Sequence, residues 1–266
     1  MRISAVLGIF AFAALVIIGC GGGGSSSTGT PGGDGGDPIV SAINIEAIHV
    51  PTGKPIDPLQ LQAGDSIRFE AAGYTASGSR RVVSATGWAT TDVGNSAGTL
   101  SGSGNYSASS ANATTFTVSA TESFGSSVVT RQYKVLAPSA RILGKVVDTN
   151  NNPASGITVV FFDSSLSEVG RGTTLGKGAF TARLSGSPTQ MHILSSSVNT
   201  VLYFQNYFFL GQSYSTLIGT CTAPAPTVSG SSTVALNSDL ALSAQRDSSG
   251  NPNPPPSPPT GCTSAP

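Results

Sequence analysis

Charged and titratable side chains are scarce in this chain of 266 residues. Lys, Arg, Asp and Glu together make up 10% of it, as 13 basic and 13 acidic residues. Such a composition supplies no basic surface to neutralise phosphates, so we expect no nucleic-acid partner. The two histidines, His49 and His192, fall in different predicted domains, which favours neither a Ser/His/Asp triad nor a zinc site. We therefore expect no enzyme activity, no metal and no cofactor, with both histidines at the surface or a sheet edge.

Helical periodicity is almost absent as well. Short segments of alternating apolar and polar residues, rich in Val, Thr and Ser, are separated by Gly and other turn residues. This pattern predicts an all-β fold built from many short strands. The length is sufficient for two domains of ordinary size, and we predict two consecutive β-sandwich domains.

The N-terminus carries the long apolar run of the chain. It spans residues 3–18 behind Arg2 and is too short, with the wrong flanks, for a stable spanning helix, which is typical of a removable signal. Its end, Ile17-Ile18-Gly19-Cys20, resembles the bacterial lipobox. The resemblance implies a lipoprotein signal peptide at 1–19 and acyl chains such as palmitate on Cys20, which would hold the protein to membrane lipid.

Residues 20–37 combine the lipidated cysteine with a polar tether. The tether is nearly all Gly, Ser, Thr, Asp and Pro, and it has an r.m.s. span of about 20–25 Å. Gly21 stands where enteric lipoproteins kept at the inner membrane carry Asp, so the resemblance favours the outer membrane of the cell envelope, on its periplasmic or its surface face. The alternatives are an ordinary signal peptide cleaved near Ala14 or Gly19, and an uncleaved helix with a buried thiol.

Residues 38–137 show period-two alternation that predicts a first sandwich. The parity changes between Ile45 and Ile48, which predicts a bulge or a change of sheet. Farther on, the strand of Trp88 is followed by the motifs Gly98-Thr99-Leu100, Gly104-x-Tyr106-x-Ala108 and Phe116-x-Val118-x-Ala120. This order resembles bacterial immunoglobulin-like domains, and the resemblance implies a core supplied by Trp and Tyr side chains.

Residues 140–245 carry a different set of motifs. They are Ile142-x-Gly144-x-Val146-x-Asp148, Gly156-x-x-Val159 and Thr174-x-x-x-Gly178-x-Phe180. They resemble the carboxypeptidase regulatory-like domain, a transthyretin-like sandwich that acts as a non-catalytic scaffold or partner-binding unit. Residues 148–152 begin like a calcium loop, but Pro153 and Val159 stand where such a loop needs Gly and Glu, so a tight turn is favoured.

Cysteine is scarce, with three in the chain. The lipobox resemblance assigns Cys20 to lipid, which leaves Cys221 and Cys262. In an exported protein we expect these two cysteines to form a disulfide, and two free thiols are the alternative. The disulfide would close a loop of about 42 residues and stabilise the fold by roughly 4 kcal/mol. It would also pin back residues 246–266, a Pro-rich C-terminal arm.

Residues 201–210 hold 5 of the 18 aromatic residues. One interpretation makes them strands that complete the second core, with 205–206 as a turn or edge. The other makes Tyr203, Phe204, Tyr207 and Phe208 an exposed platform for binding a glycan or a protein.

These patterns predict a non-catalytic function. We expect a lipid-anchored envelope protein whose sandwiches act as spacer or binding units for a protein or a polysaccharide. An accessory subunit of an envelope enzyme or transport complex is the alternative. A hydrolase built from Ser and Asp residues that only folding brings together is a third and weaker hypothesis.

Overall fold

The computed structural model describes residues 38–262 except 77–78, 93, 110–112, 218–220 and 261. The predicted signal peptide, Cys20 and the tether lie outside the described residues. Within the described part of the chain, no helix is long and apolar enough to cross a membrane.

Residues 38–137, here called the first half, form two sheets whose strands are mainly antiparallel. The strands are β1 (Asn44–His49), β2 (Lys54–Pro55), β3 (Leu61–Gln62), β4 (Ser66–Tyr74), β5 (Arg80–Val83), β6 (Ala85–Thr90), β7 (Gly98–Leu100), β8 (Asn105–Ala108), β9 (Thr114–Glu122) and β10 (Val128–Leu136), with a 3₁₀ turn at Pro58–Gln60. One sheet has the order β2-β1-β4-β8-β7, with β5 also paired to β4, and the other has the order β3-β10-β9-β6.

The core of the first half lies between these sheets and is centred on aromatic rings. Phe69 on β4 lies 4.7 Å from Tyr133 and 5.5 Å from Tyr106 between ring centroids. Phe116 on β9 stacks on Tyr106 at 5.1 Å. Trp88 is only partly buried and packs at the margin of this core. Alternation produces this arrangement, because every second side chain of a strand points to the same face.

The predicted bulge in the first strand is wrong. β1 pairs with β4 in unbroken antiparallel register from Asn44↔Ala72 to His49↔Ile67. The parity change arises because β1 is buried on both faces over 45–49, so apolar side chains occur at odd and even positions alike.

Residues 140–262, the second half, form one branched sheet of ten strands in the described residues. They are β11 (Arg141–Asp148), β12 (Thr158–Phe162), β13 (Glu168–Thr173), β14 (Ala179–Leu184), β15 (Gln190–Ile193), β16 (Tyr203–Phe209), β17 (Gln212–Ser215), β18 (Ala223–Pro224), β19 (Thr233–Ala235) and β20 (Leu240–Ala244), with a 3₁₀ turn at Ser195–Ser197. The order is β17-β16-β20-β11-β14-β13-β12-β15-β18, and β19 also pairs with β11.

Strand β11 organises the second half because one of its edges has two partners. Residues 141–143 run parallel to β19, whereas residues 146–148 run parallel to β20. The sheet therefore divides at β11 and closes around a second core that includes Phe161, Phe180 and Tyr207. Leu143 of β11 is buried in the first core instead, so the two cores touch at this strand.

The described residues form one compact body. The predicted all-β class is confirmed, since nearly all regular structure in them is strand. The domain boundaries at 38–137 and 140–245 stay predictions.

The C-terminal arm crosses the outside of the second half. Asn253 bonds to Ala244 and Gln245 at the end of β20, and Thr260 bonds to Ser213 of β17. Between these points every third residue is partly buried, as expected for a polyproline II helix that rests one face on the protein.

Candidate functional site

A buried cation ties the two halves together. The side chain of Arg141, the first residue of β11, is fully buried. Its Nη2 donates to Oδ1 of Asp65 at 2.6 Å and to Oγ1 of Thr233 at 2.7 Å, and its Nη1 donates to the carbonyl oxygen of Gln60 at 2.5 Å. These four residues, here called the latch, come from both halves. A buried charge is tolerated only when it is paired and hydrogen-bonded in this way.

Neighbouring polar groups extend the latch across the junction. Oδ2 of Asp65 accepts the backbone N–H of Gln62 at 2.8 Å. The Gln62 side chain donates from Nε2 to the carbonyl oxygen of Ser231 at 3.2 Å and accepts the backbone N–H of Ser139 on Oε1 at 2.9 Å. Separating the halves would leave these buried groups without partners, which costs about 1–3 kcal/mol for each.

A groove of about 430 Å³ is lined by residues from both halves. Its charged and polar lining includes Lys54, Tyr74 and Arg80 from the first half and Lys145, Asn151, Lys177 and Asp239 from the second. Its volume falls in the range of small-ligand sites, about 300–1,000 Å³.

The groove is placed where β11 changes partner. Residues 144–145 lie between the pairing with β19 and the pairing with β20, and the loop that joins those two strands carries Asp239. A Cβ on Gly144 would lie 2.4 Å from the ring of Phe180, so glycine is needed for this close approach. Lys145, the next residue, points to the opposite face of the strand and reaches the groove.

The cations of the groove differ in how they are compensated. The Nζ of Lys54 lies 3.7 Å from Oδ1 of Asp239, and Arg80 donates at 2.6 Å to each of two carboxylates, Glu46 and Glu70. In the described part of the chain, Lys145 and Lys177 have no carboxylate within 4.0 Å. The groove therefore keeps two uncompensated ammonium groups.

Lys177 and Tyr74, which both line the groove, connect the two halves. The Nζ of Lys177 lies 3.3 Å from the centroid of the Tyr74 ring, a cation–π contact. Partial burial lowers the pKa of Lys177, and the charge of Glu46 acts in the opposite direction. The hydroxyl of Tyr74 donates to Glu46 at 2.9 Å, so the ring is fixed from its other end.

The described carboxylates are engaged in structure. Those of Asp92, Glu122, Asp148, Asp163 and Asp247 accept backbone N–H groups in turns. Asp57 does the same at the 3₁₀ turn, and the others pair with cations. Burial acts to raise the pKa of Asp92, but hydrogen bonds from Ser96 and Ala97 outweigh it and the pKa is lowered. The Asp92 carboxylate therefore stays ionised and serves to shape its loop.

The turn after β11 is the tight turn favoured from the sequence. Oδ1 of Asp148 accepts the backbone N–H groups of Asn150 and Asn152, both at 2.8 Å, and Asn151 takes a left-handed conformation with φ 64°. Among the described residues, no group of three His, Cys, Asp or Glu side chains is placed to hold a metal ion.

The predicted surface position of the histidines is wrong. His49 and His192 are 5% and 7% exposed. Burial lowers the pKa of His49, with Asp65 acting to raise it and Arg141 to lower it. Burial also lowers the pKa of His192, whose ring nitrogens lie 3.2 Å from the carbonyl oxygen of Cys221 and 3.3 Å from that of Thr216. Groups from distant segments face both rings, which local alternation does not reveal.

The aromatic stretch does not present one platform. Residues 203–209 are a single strand, β16, so 205–206 are not a turn. Tyr207 is fully buried and stacks on Tyr214 at 5.2 Å, and Tyr203 packs against the same core. Phe204 and Phe208 alternate to the opposite face and are partly buried. A platform of all four residues is therefore wrong, because a strand divides its side chains between two faces.

The predicted disulfide is present. Cys221, fully buried in the second core, is bonded to Cys262 at the end of the arm. Because the bond closes a separation of 41 residues, it fixes the arm against the sandwich that the arm crosses.

Sequence reasoning missed both the latch and the groove. Arg141, Asp65 and Lys177 come from segments without a shared motif, and only folding brings them together. The sequence contains one local signal of the latch. Arg141 is a cation at the start of a strand that continues with the apolar residues Ile142 and Leu143.

Comparisons with known proteins add little to this geometry. No protein-family profile matches the sequence, and no curated protein does. The chain is similar to two solved pilins. One is the T6 backbone pilin of serotype M6 Streptococcus pyogenes, at 10% identity and a TM-score of 0.25 over 76% of this chain and 70% of that one. The other is BcpA, the major pilin subunit of Bacillus cereus, at 12% identity and a TM-score of 0.24 over the same shares. Such low TM-scores support no inference about this chain.

Proposed function

We propose that the chain is a non-catalytic, lipid-anchored protein of the cell envelope, with the outer membrane favoured and Cys20 as the anchor. Its two halves act as a spacer or as a binding module for a protein or a polysaccharide. The latch is the observation that supports the spacer or binding role, and the lipobox-like residues 17–20 support the anchor. Because Arg141 is buried between the halves, a hinge motion there would expose its charge or leave it buried without a partner. The described residues are therefore suited to hold a fixed shape.

We also propose the two domain types that the motifs resemble. For an immunoglobulin-like domain at 38–137, the support is that the motif strands β7 and β8 pair with each other and that Tyr106 lies in the core. For a carboxypeptidase regulatory-like domain at 140–245, the support is that β11 pairs with β14, which brings Gly144 against Phe180.

The anchor is tested by fractionating cells that express the full chain and its Cys20→Ala variant. We expect the wild-type protein in the membrane fraction, and we expect globomycin to slow its migration on a gel by blocking signal cleavage. Cys20→Ala should lose both behaviours. Cys262→Ser is the matched control, because it removes a cysteine outside the lipobox and should leave membrane association intact. Unchanged fractionation of Cys20→Ala would remove the anchor from the proposal.

A further inference from the structure

We infer that the groove between the halves binds an acidic carbohydrate, with a sugar carboxylate held by Lys145 and Lys177. The inference rests on the proposed binding role and gives that role a ligand class. It starts from a mismatch in charge: among the described residues, four cations line the groove together with one carboxylate, that of Asp239.

The free donors of the groove are well defined. The side chain of Lys145 is half-buried and has no hydrogen bond or ion pair with a described residue. Lys177 interacts with the ring face of Tyr74, which leaves its N–H groups on the other side available. The exposed amide of Asn151 also has no partner among the described residues and can bond to a hydroxyl group. Two ammonium groups and one amide match a carboxylate on a hydroxyl-rich ring.

The groove is held open before a ligand arrives. Its walls come from both halves, and the latch and the Lys177–Tyr74 contact fix the halves relative to each other. The Asp148 turn fixes the backbone that carries Asn151. A ligand therefore does not have to order a hinge or a loop, which is the main cost that weakens binding to mobile sites.

The lining favours a sugar over an acidic peptide. Peptide recognition relies on apolar pockets that bury an aromatic or aliphatic anchor. Here the apolar lining comes from small or rigid side chains such as Pro55, Pro153 and Ala179 and from the ring of Tyr74, which Lys177 already contacts. Arg80, the one guanidinium that lines the groove in the described part of the chain, is already paired with Glu46 and Glu70, so it is not free for bidentate recognition of a phosphate. Lysines acting as point charges suit a carboxylate on a polar chain.

Isothermal titration of the full chain in detergent micelles tests the inference. The probes are a galacturonate hexamer, the same oligomer with its carboxyl groups methyl-esterified, and a glutamate hexamer. We expect the galacturonate hexamer to bind, with affinity that falls as salt rises because the contacts are partly exposed. The esterified oligomer and the glutamate hexamer should bind at least about tenfold more weakly. Absence of galacturonate binding, or equal binding of either comparison probe, would overturn the inference.

Charge variants locate the site. Lys145→Gln should weaken galacturonate binding at least about tenfold, the usual effect of losing a hydrogen bond to a charged group. Asp239→Asn should strengthen it about two- to fivefold by removing a nearby negative charge, and misfolding does not explain a gain. Lys134→Gln, on β10 and outside the groove, should leave binding unchanged. Equal effects of Lys145→Gln and Lys134→Gln would contradict the site. Membrane association of the same protein is read separately by fractionation, so failure here leaves the anchor untouched.

Discussion

Nη2 of Arg141 lies 2.6 Å from Oδ1 of Asp65, with both side chains almost completely removed from solvent. The pair joins the start of β11 to the turn before β4, and so one half of the protein to the other. Its net contribution to stability depends on what replaces it, because burying two charges costs nearly as much as their attraction returns. Removing only one partner is different, since the other charge then stays buried alone.

Asp65→Asn is therefore expected to lower the free energy of unfolding by about 3–5 kcal/mol. Glu168→Gln is the matched control, because it breaks an exposed ion pair with Arg171 and should cost about 0–1 kcal/mol. Urea unfolding followed by circular dichroism measures both. A loss below about 1 kcal/mol in Asp65→Asn would contradict the role of the latch.

Neighbouring residues on β16 provide a second comparison. Tyr207 is fully buried, whereas Phe208 lies on the outer face. Tyr207→Ala should lower the free energy of unfolding by about 3–5 kcal/mol, because it leaves a cavity in the second core. Phe208→Ala should cost clearly less in the same urea titration. Equal losses would mean that the two faces of this strand are buried alike.

The sequence predicts those features that repeat along one segment. β4 alternates between Ile67 and Phe69 inside and Arg68 and Glu70 outside, so its strand and its buried face follow from the pattern alone. The pairing of Cys221 with Cys262 followed from counting cysteines in an exported chain.

Features that depend on contacts between distant segments leave no such pattern. Arg141 meets Asp65 across 76 positions, and His192 is covered by the carbonyl groups of Thr216 and Cys221 from a later loop. In the sequence, Lys145 and Lys177 cannot be distinguished from ordinary surface lysines. Only the folded structure shows that β11 and the turn at 176–178 line the same groove. The sequence therefore underestimates the burial of polar residues. Alternation indicates which face of a strand packs on the core, but it does not indicate which distant segments cover the opposite face.

The disulfide gives a third prediction. Cys262→Ser should lower the free energy of unfolding by about 4 kcal/mol, because the unfolded chain is then no longer constrained by the cross-link. It should also make the Pro-rich arm a site of early proteolysis, since its end is no longer bonded to Cys221. Ser257→Ala, exposed on the same arm, is the control and should change neither the urea midpoint nor the cleavage pattern. Reactive thiols at both positions in the untreated protein would rule the bond out.

The buried histidines make stability depend on pH in a narrow window. Both have a folded-state pKa below the ordinary value near 6.5, chiefly because burial disfavours the charged ring. The unfolded chain then binds protons that the folded chain does not, so stability falls as pH drops below about 6.5. Carboxylates with a lowered pKa, such as Glu70 and Asp92, add to the loss only below about pH 4.5. Asp65 and Arg141 face His49, whereas backbone carbonyls face His192.

His192→Gln separates the contribution of this ring from that of His49. Between pH 7 and pH 5 the wild-type protein should lose stability, with a slope of up to about 1.4 kcal/mol per pH unit for each histidine. The variant should be less stable at pH 7, because it loses packing and hydrogen bonds, and its stability should fall less steeply with acidification. Urea midpoints at half-unit pH steps measure both effects. A variant whose curve runs parallel to that of the wild type down to pH 5 would show that folding does not lower the pKa of His192.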